Sequence, residues 1–134
     1  MVELLIRNSP VGNIKAIIFD KDGTLSNSEK HLLELAKTRI NFSENKFKKL
    51  KLNKLKRWLL KKLLTYVYGF NKNFLSANDT LAIASREQNI ISTATIITLF
   101  GFDWFTSLST GQEIFDEVDI FLSNKNDNIH TKGL

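Results

Sequence analysis

The chain has 134 residues, 43% of them hydrophobic and 25% charged, a balance that fits one soluble globular domain and excludes a disordered polypeptide. With no cysteine it holds no disulfide framework and no cysteine metal site. No apolar run approaches the roughly 20 residues needed to span a bilayer, and the stretch ahead of Arg7 is too short for a signal peptide's apolar core, so a cytoplasmic protein is expected. The net charge of +5 is uneven: residues 1–72 hold sixteen Lys/Arg against six Asp/Glu, and residues 73–134 hold three against eight. Such a split fits a nucleic-acid or membrane surface in the basic half, or two halves that attract each other.

Val2–Arg7 and Ile14–Phe19 are short β-prone runs. "NSPVGN" between them carries the only proline and reads as the turn of a hairpin. "IKAIIF" is nearly all apolar at its end, as expected of a strand buried on both faces. From Glu29 the period turns helical, with Leu32, Leu35, Ala36 and Ile40 on one face and Ser28 as a possible N-cap. In the lysine-rich run that follows, Leu52, Leu55, Leu59, Leu63, Tyr66 and Val67 share one broad arc, and Lys54, Arg57, Lys61 and Lys62 lie opposite. Asn53 can cap this helix and Gly69 can end it; Lys56 and Trp58 break the pattern.

"SAND" at 76–79 opens a further helix through Gln88. Residues 90–100, "IISTATIITLF", are β-branched and read as strand by propensity, or as a short helix capped by Ser92. "TGQE" at 110–113 fits a capping box before "IFDEVDIFL", and "SNKNDNIHTKGL" reads as polar linker. A hairpin and about a hundred residues of helix leave the apolar strand without the sheet neighbours it needs.

The chemistry-bearing stretch is "IIFDKDGTLSNS", residues 17–28. On extended backbone, Asp20 and Asp22 project together from the strand end while Lys21 turns aside. Gly23 permits a sharp turn where a ligand approaches the backbone, and Thr24 offers a hydroxyl and an amide. Two close carboxylates repel unless one is protonated or a cation sits between them. Mg²⁺ takes such oxygen ligands together with phosphate oxygens; one carboxylate can attack phosphorus, and the other can serve as acid and base. An acidic turn closing a strand is the plainer reading. A calcium loop would put Asp20, Asp22 and Glu29 at its third, fifth and twelfth positions, but leaves the non-ligating Ile18 at its first.

"FDKDGTLSNS" resembles the first motif of the haloacid dehalogenase-like (HAD) hydrolases, an apolar strand followed by D-x-D-G-T-[LV] and often "-x-D-S". Asp20, Asp22, Gly23, Thr24, Leu25 and Ser28 match; Asn27 stands where the phosphoglycolate-phosphatase-like branch commonly has Asp. The resemblance implies an α/β Rossmann-like core with a helical cap, and a Mg²⁺-dependent phosphatase acting on a small phosphorylated substrate. It implies Asp20 as nucleophile and Mg²⁺ ligand, and Asp22 as acid/base with its backbone carbonyl on the metal. Gly23 and Thr24 are expected at the phosphate. Residues 1–28 would be hairpin, first core strand and nucleophile loop; 29–122 the cap; 123–134 the return linker. The family's Ser/Thr, Lys and acidic-pair motifs find no good match in this chain. Asp116, Glu117 and Asp119 of "FDEVD" sit in an expected helix, Lys125 and Lys132 in the linker, and Ser123 before a polar tail. A truncated, inactive N-terminal fragment is therefore expected.

From Lys46 to Lys62 the chain carries nine cations and no acid, with Phe47 and Trp58 interleaved. This run could grip nucleic acid or anionic lipid as a basic helical binding module. The breadth of its apolar arc favours a cap helix with a solvated basic face, or one that draws anionic substrate inward. "FGFDWF", 100–105, is expected in the cap core rather than in a substrate pocket. His31, on a helix with no second His nearby in sequence, is expected to be a surface or packing residue.

Overall fold

A computed structural model describes residues 2–18, 28–71 and 74–124. The first element is a hairpin of β1 (Val2–Ile6) and β2 (Ser9–Ile14), antiparallel with Val2 opposite Ile14 and Ile6 opposite Ser9. Arg7 and Asn8 make its turn, both in the left-handed region at φ 50° and 66°, which a two-residue turn matching the strand twist requires. The hairpin therefore differs from the expectation: "NSPVGN" is not the turn, and Pro10 and Gly12 lie within β2. Asn8 tolerates left-handed backbone, so the chain reverses ahead of the proline. Proline's missing N–H is tolerated because β2 is an edge strand; the pairing slips just beyond it, between Leu4 and Leu5. The strand expected over Ile14–Phe19 is also corrected. Ile14 closes β2, residues 16–18 belong to no strand, and Ile17 and Ile18 are 55% and 96% exposed; Phe19 lies outside the described residues.

Helix α1 (Ser28–Lys49) buries Ala36 and Ile40 and half-buries Leu32 and Leu35, the face its period predicts. It runs on to Phe47, which is fully buried. The stop is a Schellman motif: Leu52 N donates to Phe47 O at 3.1 Å and Lys51 N to Lys48 O at 3.1 Å. Lys51 takes the left-handed position usually given to glycine, at φ 60°. Helix α2 (Lys54–Val67) starts as its sequence predicts, with Asn53 Oδ1 accepting from Lys56 N at 2.8 Å. It ends at Gly69, φ +68°, where a Cβ would lie 2.3 Å from Asp79 Cβ.

The buried side of α2 is not the predicted arc. Leu60, Leu64 and the following Tyr68 are fully buried, whereas Leu55, Leu59 and Tyr66 are 71%, 43% and 83% exposed. Apolar side chains cover well over half of this helix's circumference, so its period alone sets no unique phase; packing does. Leu52, Leu63 and Val67 remain partly buried against the core.

A small hairpin of β3 (Phe70–Asn71) and β4 (Phe74–Leu75) leads to a one-turn helix, α3 (Thr80–Ile83), not to a helix through Gln88. The chain breaks at Ala84, ψ 149°, and restarts as α4 (Arg86–Thr98). Ser85 caps α4 in a full capping box with Gln88, so residues 90–98 are helix and the cap is Ser85 rather than Ser92. Helix α5 (Trp104–Ser123) starts earlier than "TGQE" suggests, because Asp103 caps it: Oδ1 accepts from Thr106 N at 2.9 Å and Oδ2 from the Thr106 hydroxyl at 2.6 Å. Thr110 and Gly111 lie buried mid-helix. A Cβ on Gly111 would meet Ile90 O of α4 at 3.5 Å, an ordinary van der Waals contact, so Gly111 faces α4.

The helices share one core, drawn from Ala36, Ile40, Phe47, Leu60, Leu64, Ile97, Ile114 and Phe115. Across it, Tyr68 Oη lies 2.6 Å from Thr93 Oγ1, which donates its one proton to Asn89 O at 2.8 Å. Tyr68 must therefore be the donor to Thr93, and burial pushes its phenol pKa up. The Asn89 amide in turn donates to Thr80 O, Ala84 O and Ser85 O, tying α3 to the start of α4. The chain is thus mostly helical with two short antiparallel hairpins.

Leu64→Ala should lower unfolding free energy by about 2–5 kcal/mol, while Leu55→Ala should change it by no more than about 0.5 kcal/mol. Denaturant titration of the pair checks which face of α2 is inside. The Asp103 carboxyl is held below its usual range by the Thr106 hydroxyl and then the Thr106 amide. Its contribution is therefore present above the unfolded-state pKa and lost as pH falls through the lowered folded one. Thermal midpoints of wild type and Asp103→Ala should differ most near neutral pH and converge below the ordinary carboxylate range.

Candidate functional site

Asp20, Asp22, Gly23 and Thr24, the residues expected to carry catalysis, metal and phosphate, lie outside the described residues, as do Lys125, His130 and Lys132. What is described brackets them: exposed Ile17 and Ile18 before, and Ser28 opening α1 after. Glu29, twelfth residue of the calcium-loop register, is exposed on the first turn of α1. His31 is exposed on the same helix.

The carboxylates of "FDEVD" have structural partners. Arg86 bridges two of them, Nη2 to Asp116 at 2.7 Å and Nε to Asp119 at 2.9 Å, joining α4 to α5. Lys46 reaches Glu113 at 2.6 Å and Glu117 at 3.6 Å, joining α1 to α5. Its ammonium pKa is raised, first by the Glu113 hydrogen bond. This bond also joins the basic and acidic halves. Ser123 sits in the last turn of α5 and donates to Ile120 O at 2.9 Å, so no strand presents it. Among the described residues, no group of three or more acidic or histidine side chains could hold a metal ion, and no helix is long and apolar enough to cross a membrane.

The four cations predicted to share one side of α2 do converge. Lys54, Arg57, Lys61 and Lys62 line a groove of about 530 Å³ with Trp58, Thr65 and Glu44 of α1. Lys61 pairs with Glu44 at 3.2 Å. Among the described residues Arg57 Nε is buried with no hydrogen-bond partner, and Lys62 stands 5.8 Å from the centre of the Trp58 ring. Lys62 and Thr65 also border a second groove with Tyr66, Phe70 and Phe74. With one acid against four cations, the α2 groove attracts anions. Trp58, which breaks the apolar pattern of α2, is the aromatic of this surface. "FGFDWF" divides: Phe102 packs edge-on to Phe47 at 5.4 Å, whereas Trp104 and Phe105 are 49% and 82% exposed.

A further cation, Arg39, was not foreseen. It is 4% exposed on α1, its guanidinium carbon 3.8 Å from the Phe115 ring centre, and its Nε has no hydrogen-bond partner. Burial lowers its pKa, with Tyr68 and Asp119 opposing. The ring face in place of a carboxylate identifies it as a packing element of the core rather than a ligand-facing group.

Compared with protein-family models, with curated proteins and with solved structures, the chain matches none.

Because, among the described residues, the buried Arg39 makes no ion pair and its Nε no hydrogen bond, Arg39→Met should leave stability unchanged or raise it by about 1–2 kcal/mol. Arg39→Ala, which opens a cavity beside Phe115, should lower it by at least about 2 kcal/mol. Chemical denaturation of the two variants at neutral pH checks the assignment.

Proposed function

We propose that this chain carries the nucleophile loop and helical cap of a Mg²⁺-dependent phosphatase like those of the haloacid dehalogenase-like hydrolases, acting on small phosphate esters. One observation carries the reading. The D-x-D-G-T-L run of residues 20–25 stands immediately ahead of Ser28, where a helical unit with its own buried core begins.

The donor set suits the chemistry. Two carboxylates two residues apart are hard oxygen ligands of the kind Mg²⁺ takes; when bound, the ion offsets the charge of an approaching phosphate. The Asp20 carboxylate attacks phosphorus and the P–O bond to the alcohol breaks, giving an aspartyl-phosphate. Asp22 gives the departing alcohol its proton, then takes one from the water that cleaves the acyl phosphate and releases inorganic phosphate. Thr24 and the backbone around Gly23 hold the phosphate oxygens.

A complete site of this type needs a hydroxyl residue, a lysine and a second acidic pair. Asp116 and Asp119 are committed to Arg86, and Ser123 to a helix end. The 134 residues alone are therefore proposed to be inactive, and a further segment or polypeptide to complete the site. Hydrolysis of p-nitrophenyl phosphate should be at background for this chain. A polypeptide that joins this chain to a segment carrying those three groups should show Mg²⁺-dependent turnover. Asp20→Asn should abolish that turnover, by at least about a thousandfold if the carboxylate is the nucleophile. Turnover that survives the substitution would refute the assignment.

A further inference from the structure

The rotation of α2 that buries Leu60, Leu64 and Tyr68 leaves a second apolar stripe in solvent. Leu55, Leu59 and Tyr66 are exposed, and Trp58, 55% exposed, stands beside them. Their spacing along α2 puts Leu55, Leu59, Lys62 and Tyr66 in line, at steps of four, three and four residues. Lys54 flanks the stripe on the side of Trp58 and Lys56 flanks it on the other, while Lys62 stands within it; all three are exposed, and none forms an ion pair among the described residues. Helix α2 contains no acidic residue.

From this face we infer that the protein docks on an anionic lipid bilayer through α2, independently of the chemistry at Asp20. An aliphatic centre with aromatic shoulders and flanking lysines is the arrangement an interfacial helix uses. Leucines enter the acyl boundary, Trp and Tyr sit at headgroup level, and lysine stems lie along the apolar surface while their ammonium groups reach the phosphates. Charge complementarity selects the occupant. A second copy of the chain, pairing through the same face, would bring these lysines against their own counterparts. Nucleic acid would use the cations but leave Leu55 and Leu59 with nothing apolar to cover them. The exposed lysines at the end of α1, Lys48, Lys49 and Lys51, extend the positive field on the same stretch of chain.

The experiment uses the full 134-residue chain with Trp104→Phe, so that Trp58 is the sole tryptophan. It should sediment with phosphatidylcholine vesicles containing 30% phosphatidylserine and not measurably with phosphatidylcholine alone, and its emission should shift to the blue. Lipids brominated on the upper acyl chain should quench Trp58, a readout that needs no substitution within α2. Lys54→Gln with Lys62→Gln should weaken binding roughly 25-fold, about fivefold for each lysine. Leu55→Ser with Leu59→Ser should weaken it at least about tenfold with the unfolding midpoint unchanged. Absence of quenching, equal binding to neutral vesicles, or binding indifferent to the leucine pair would overturn the inference. Tighter binding to a single- or double-stranded oligonucleotide than to the anionic vesicles would also overturn it, and would assign the face to nucleic acid.

Discussion

Tyr68 donates a hydrogen bond to Thr93, and Thr93 donates one to the carbonyl of Asn89, a buried chain that ties the end of α2 to α4. Tyr68 follows Leu60 and Leu64 at intervals of four, so fixing its hydroxyl in the core fixes the rotation of the whole of α2. The side-chain amide of the same Asn89 separately donates to the carbonyls released where α3 stops and α4 begins. A helix with apolar groups around most of its circumference could sit in several rotations. Burying the Tyr68 hydroxyl without a partner would cost its hydrogen bond, and the bond to Thr93 favours the rotation seen.

That choice explains where the sequence was legible and where it was not. The stripe of α1 was readable because only one face of it is apolar through Ile40. Asn53 and Gly69 were readable because capping and chain reversal each impose a local chemical demand. In α4, a run of β-branched residues argued for strand, but burial of Ile90, Ala94 and Ile97 at helical spacing, behind the Ser85 capping box, outweighed propensity. "TGQE" carried the letters of a helix start, yet Asp103 had already supplied one, and Thr110 and Gly111 are used at the crossing with α4. The phase of α2 was not readable at all, because the residue that sets it, Thr93, lies on another element.

The candidate chemistry divides along the same line. The carboxylates proposed for it are legible only in the order of residues 20–25, from side-chain alternation and the glycine that follows. Asp116, Glu117 and Asp119, expected on a helix, do lie on α5. Arg86 and Lys46 engage the carboxylates of α5 and clamp it to α4 and α1. What sequence alone did not disclose is Arg39, a cation resting on Phe115, since nothing in "AKTRINF" distinguishes an arginine in the interior from one in water.

The first hairpin has a consequence of another kind. Among the described residues, β1 and β2 pair only with each other, so each offers an open edge of amides and carbonyls, with Val2, Leu5, Ile6 and Val11 exposed alongside. Such ribbons invite strand addition and, at high concentration, fibrous self-association. Pro10 removes one amide from the row, and the slipped register between Leu4 and Leu5 bends the ribbon. The imino acid that misled the turn assignment thus serves as a gatekeeper, interrupting the template a growing cross-β stack would need.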